Sequence, residues 1–186
     1  MMLQSMIKVR ESLRGKLLLT LCAIVGSVAL PQIVHLVGAA AGIGNSLGEL
    51  LLPMHFFVLL AGLLAGPAVG AVTGACAPLL SYLLSGMPRE AVLPFMMIEL
   101  IGYGLLAGLV SATRFNSFVK LLLAQLGGRV LRAAAVLVAV YGAGLQTVSV
   151  ESIWRAIPAG LLGILLQWCI IPLLLFRLRA DGDRHD

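Results

Sequence analysis

Apolar residues run through this chain in long blocks, separated by short polar or Gly/Pro-rich interruptions. The first block, 17–38, holds about 22 residues, enough at about 1.5 Å per residue to cross a hydrocarbon core of about 30 Å. The next, 50–84, is too long for one crossing, and Gly66-Pro67 divides it into two short helices joined by a tight turn. Blocks 94–112, 130–146 and 156–176 supply three more. The pattern predicts an all-α integral membrane protein with six transmembrane helices. Its interruptions are a small-residue loop (AAAGIGNSLGE), a turn (SGMPRE), a longer polar connection (TRFNSFVKLLLAQLGGR) and a short loop (TVSVESIW). Within the polar connection, VKLLLAQL is apolar but only about eight residues long, and reads as a segment lying in the membrane interface.

Composition agrees with this reading. Of 186 residues, 60% are hydrophobic and 11% charged, and the mean hydropathy is +1.05, more apolar surface than a soluble domain of this size buries. The amino end, MMLQSMIKVRESLRGK, is mixed polar and basic, and the apolar block after it is longer than the core of a secretory signal. The first helix is therefore expected to stay in the mature protein. The expected organisation is a cytoplasmic segment (1–16), a six-helix membrane domain (17–178) and a cytoplasmic tail (179–186).

Orientation follows from the basic residues. With both termini inside, the inner segments hold Lys8, Arg10, Arg14, Lys16, Arg114, Lys120, Arg129, Arg132, Arg177, Arg179 and Arg184, eleven of the 13 Lys and Arg. Arg89 and Arg155 are left outside. This asymmetry obeys the positive-inside rule, and five or seven spans would scatter it. The net charge of +5 is then accounted for by basic flanks against an anionic leaflet, with no nucleic acid involved.

In that topology the remaining ionisable groups gather toward the outer side. Glu49 and His55 fall at the outer end of the second helix, Arg89 in the loop before the fourth, and Glu99 about five residues, or ~7.5 Å, inside the fourth. A carboxylate within a spanning helix costs a few kcal/mol unless it faces protein or a watery cavity. Glu99 is thus either a pocket-lining group or a structural hydrogen-bond partner, and Tyr103, four residues on, shares its face. His55 can be an interfacial residue or a ligand contact, His35 reads as packing, and Gln167 as interhelical glue or a ligand contact. Asn45, Gln146 and Trp154 lie at outer helix ends, where Trp154 serves as an interface anchor or a stacking platform. Their common depth groups them as candidate substrate contacts.

Catalytic and metal patterns are absent from the sequence. The three His and three Cys form no HExxH or CxxC spacing, and Cys22, Cys76 and Cys169 lie in apolar helices as small hydrophobes. Neither Ser46 nor Ser81 has a context that suggests an activating base. No metal, cofactor or disulfide is expected. Without a GxxxxGK[ST] loop, any ATP-driven transport would draw its energy from another subunit. On the first helix, Cys22/Gly26 and Ala23/Ser27 are small-xxx-small pairs that admit close helix approach.

The run LLPMHFFVLLAGLLAGPAVGAVTGACAPLLSYLLSGMP, followed by FMMIELIGYGLLAGLV, resembles the substrate-binding S-components of energy-coupling factor vitamin transporters, in particular the pantothenate-type branch. The likeness is carried by Pro53 with His55, Ala61-Gly62, Gly66-Pro67, Pro78-Leu79-Leu80, Gly86-Met87-Pro88, and Glu99 with Tyr103-Gly104. It implies a six-helix protein that binds a vitamin or precursor from the outer side, in a pocket lined by the first, third and fifth loops and helices four to six. It also implies partners: a transmembrane coupling subunit, docked on a small-residue face of the first helix (here Ala23, Gly26 and Ser27), and two cytoplasmic ABC ATPases. The first loop, 39–48, rich in Ala and Gly, has the composition of a mobile lid. An autonomous secondary transporter, which needs a deeper coupling-ion site, and a small intramembrane enzyme are the competing classes. The ligand stays open: Glu49, His55 and Glu99 suit a neutral or weakly basic molecule, whereas Arg89 and Arg155 suit a carboxylate.

Overall fold

The computed structural model describes residues 12–42 and 46–183. These fold as eight helices: α1 (Leu13–Ala40), α2 (Ser46–Leu51), α3 (Pro53–Ala65), α4 (Pro67–Ser85), α5 (Leu93–Ser111), α6 (Ser117–Leu137), α7 (Glu151–Ala159) and α8 (Leu161–Asp183). A π-helical turn, Val138–Gly142, extends α6. Six segments are long and apolar enough to span a membrane: Leu13–Ala40, Leu47–Ala65, Pro67–Ser85, Leu93–Ser111, Ser117–Gly142 and Leu161–Leu178. Most outward-facing side chains are Leu, Ile, Val and Phe, as a lipid-facing surface requires.

The first four spans follow the apolar blocks, and local chemistry explains their breaks. Leu52 stands before Pro53, which bars the right-handed helical region to it; it takes φ 47°, ψ 48° instead and separates α2 from α3. Gly66 has φ 96°, a conformation open to glycine, and Pro67 opens α4 with no backbone N–H to satisfy. Gly86, at φ 69°, ends α4. The tightest crossing is between α4 and α5, where a Cβ on Gly70 would run into the backbone of Gly104, and one on Gly104 into that of Gly70. Their backbones pack directly on each other. Val58, Leu59, Leu100, Tyr103, Leu121 and Ile171 fill the core around that crossing.

The last two spans depart from the pattern. The fifth was expected over 130–146, after a polar connection containing an interfacial segment; α6 instead begins at Ser117, capped by the Asn116 side chain, which accepts from the Val119 N–H at 2.8 Å. VKLLLAQL is thus the first half of a spanning helix. Its polar groups interrupt the hydropathy pattern without interrupting the helix, because each is paired. Lys120 Nζ donates to the Ser111 carbonyl at 2.7 Å, Gln125 exchanges hydrogen bonds with α8, and Arg129 and Arg132 reach Glu99. Arg129 and Arg132 therefore belong to the middle of a transmembrane helix, and the orientation count over helix ends, flanks and loops becomes nine inside and two outside. The sixth span was expected over 156–176, but Glu151–Ala159 forms the separate α7, which ends at Gly160. α8 then runs to Asp183, so the expected tail is helical over 179–183.

Candidate functional site

At the end of the bundle where α1 finishes and α3 and α5 begin, the helices diverge around a cavity of about 570 Å³. Its wall is formed by the last turns of α1 (Pro31, His35), by α2 and the start of α3 (Glu49, Met54, His55), and by the end of α4 with the following loop (Ser81, Met87, Arg89). The start of α5 (Met96, Glu99), the middle of α6 (Arg129, Arg132) and α7 (Ser152, Arg155) complete it. A smaller cavity of about 220 Å³ lies behind the same two α6 arginines, between α6, α7 and α8.

The floor is an ion-pair cluster. Glu99 is wholly buried on α5. Arg132 Nη1 donates to its Oε2 at 2.8 Å, and Arg129 Nε lies 3.2 Å from its Oε1. The Tyr103 hydroxyl, one turn along α5, donates to Oε1 at 3.2 Å and accepts from Arg129 Nε at 3.0 Å. Arg129 also donates through Nη1 to the Ala156 carbonyl at 3.2 Å, tying α7 to the cluster. Both arginine side chains are 18% exposed while Glu99 is not exposed at all. The polar face of the cluster presented to the cavity is cationic. His55, buried, packs edge-on against Tyr103 with ring centroids 5.3 Å apart. Its Nδ1 and Arg132 Nε have no hydrogen-bond partner among the described residues. The close fit extends behind Tyr103, where a Cβ on Gly128 would strike the tyrosine ring.

The structure gathers some of the candidate residues and separates others. Glu49, His55, Arg89 and Glu99 line the larger cavity, and Tyr103 lines the smaller one. Glu49 and Arg89 are exposed at the mouth. Gln146 and Trp154 are exposed and line neither cavity. Gln167 is buried and lines neither cavity, accepting from Gln125 Nε2 at 2.9 Å and donating to the Leu52 carbonyl at 3.3 Å. It ties α8 to α6 and to the break between α2 and α3. Asn45 lies outside the described residues. On α1, Ser27 is fully buried, Ala23 packs against the cluster of Ala61, Ala65 and Val69, and a Cβ on Gly26 would meet the Phe57 ring. Those small residues serve the approach of α1 to α3 and α4, and Leu18, Leu21, Cys22 and Val25 face outward beside them.

Sequence reasoning missed the site role of Arg129 and Arg132, which it counted among the inner basic residues. The available signal was the spacing of Gln125, Arg129 and Arg132, at i, i+4 and i+7 on one helical face, within a segment long enough to span. Among the described residues no group of three or more His, Cys, Asp or Glu converges as a metal site would require.

The fold is thus a six-span membrane bundle with a polar-floored cavity at one end. Residues 17–176 match the family model described as ECF transporter, substrate-specific component, and the chain belongs to that family. No curated protein and no solved structure is significantly similar to it.

Proposed function

We propose that this protein is the vitamin-binding subunit of an ECF-type importer, which takes a vitamin or vitamin precursor into the 570 Å³ cavity and hands it to an ATP-driven coupling module. The observation that carries this reading is the cavity itself. Its volume lies within the roughly 300–1,000 Å³ usual for small-molecule sites, and its floor holds a buried charged cluster of the kind found along substrate pathways in membranes.

The cavity end is the outer end in this reading, with both termini in the cytoplasm. Nine basic residues of the helix ends, flanks and loops then lie inside and two outside, which supports that orientation. Coupling to a transmembrane partner uses the outward face of α1, where Leu18, Leu21, Cys22 and Val25 stand beside the inward small residues. The ATPases reach the cavity only through that partner.

Reconstitution tests the proposal. Proteoliposomes containing this chain, a coupling subunit and its two ATPases should accumulate the small molecule that copurifies with the chain, and only with ATP inside the compartment corresponding to the cytoplasm. Accumulation by the chain alone, driven by an ion gradient, would show an autonomous carrier instead.

A further inference from the structure

We infer that the molecule held in the larger cavity is an organic anion with an apolar body, bound through its acidic group to the arginines that line the cavity. The inference rests on reading this cavity as the substrate site, and names the chemical class of the substrate.

The charges lining the cavity do not cancel. Arg155 is paired with Glu151 at 2.8 Å, and the remaining arginines, Arg89, Arg129 and Arg132, face Glu49 and Glu99, an excess of one positive charge. Glu99, the acid that from sequence could have received a ligand's donors, is already engaged by Arg129, Arg132 and Tyr103. It acts on the ligand as a counter-charge that fixes two guanidiniums. One carboxylate shared between two arginines leaves a net cation at the cavity floor. A cation in so little water is costly without a counter-ion, and a bound acid supplies one.

Donor capacity points the same way. A guanidinium carries five N–H donors, and Arg132 makes one hydrogen bond within the described protein, through Nη1 to Glu99. Its Nε is without a partner there, as is Nδ1 of the buried His55 on the same wall. The guanidinium donors that Glu99 leaves unused suit the oxygens of a carboxylate or of a phosphate ester. Met54, Met87, Val92 and Met96 make much of the remaining wall apolar, which suits a hydrocarbon or ring body beyond the acidic group.

The test uses the purified full-length chain in detergent and matched probe pairs that differ in one acidic group. Nicotinate with nicotinamide, biotin with biotinamide and pantothenate with panthenol report a carboxylate; pyridoxal 5′-phosphate with pyridoxal reports a phosphate ester. Binding is followed by isothermal titration and by the shift in melting temperature. At least one acid should bind tenfold or more tightly than its neutral partner, and the pair that responds identifies the acidic group. Arg132→Gln should remove that preference. Because this substitution also leaves Glu99 with one fewer counter-charge, Arg89→Gln at the exposed mouth provides a second arm, expected to weaken the acid about three- to tenfold while leaving the neutral member unchanged. Equal binding within every pair, preference for the neutral members, or no response to any acid overturns the inference. Capture of a coexpressed coupling subunit by the same chain is scored separately, so loss of the anion preference with capture intact refutes the substrate class and leaves the transport role standing.

Discussion

Replacing Glu99 with Gln keeps the shape of the side chain and one acceptor oxygen but removes the negative charge held between Arg129 and Arg132. Both guanidiniums remain where α6 places them, now facing each other across a neutral amide. Breaking a buried ion pair by removing one partner costs about 3–5 kcal/mol. Each arginine side chain is 18% exposed to the cavity, and screening there lowers the cost, so Glu99→Gln should destabilise the fold by about 2–3 kcal/mol. The assay is reversible denaturation of the purified protein in detergent, with a double variant as control. Glu99→Gln/Arg132→Gln removes one charge of each sign and should recover at least ~1 kcal/mol relative to the single variant, since the two residues touch and their effects are not additive. A Glu99→Gln protein as stable as the parent, or a double variant no more stable than the single, would refute the account of the cluster as a mutually neutralising unit.

Three further outcomes follow from the packing and the topology. Gly104→Ala should cost about 1–3 kcal/mol or more, read as a lower yield of monodisperse protein, because the added Cβ meets the rigid Gly70 backbone. Val25→Trp on the outward face of α1 should reduce capture of the coupling subunit while ligand binding to the isolated chain persists; Ala23→Trp should lower stability first, since Ala23 packs against the bundle's own Ala61, Ala65 and Val69. In a background lacking Cys22, Cys76 and Cys169, a cysteine at Thr147 should react with a membrane-impermeant thiol reagent in intact cells and one at Asp183 should not; the opposite result inverts the proposed orientation.

How much of this was legible in the sequence depended on whether polar residues sat between the helices or within them. The spans that became α1, α3, α4 and α5 were readable because their interruptions, Gly66-Pro67 above all, are also backbone breaks. α6 was misread because Lys120, Gln125, Arg129 and Arg132 look like a loop to any measure of hydropathy; what cancels their cost is Ser111, Gln167, Trp168 and Glu99, all on other helices. The same blindness affected the site. Glu99 stood out as an acid in an apolar run, but its two counter-ions were counted with the inner basic residues, and the ligand therefore stayed open between a weakly basic molecule and a carboxylate. Gln167 could have been ligand contact or glue until its partners on α6 and at Leu52 were visible. Trp154 and Gln146 share a depth with the cavity residues without sharing their direction, which no one-dimensional pattern encodes.

The pairing that hides α6 from hydropathy also bears on how the chain enters the membrane. An arginine at the middle of a lone helix costs roughly 2.5–3.5 kcal/mol on insertion, and α6 carries two, so on its own it is a poor candidate for partition from the translocation channel into lipid. Its counter-charge lies on the preceding helix, only a short connection away, between Ser111 and Ser117. The pairing predicts that α5 and α6 enter the bilayer as a single unit, as a hairpin with its charges closed on one another. Biogenesis of the cavity would then be inseparable from membrane entry, because the contact that lets α6 leave the channel is the one that forms the cavity floor.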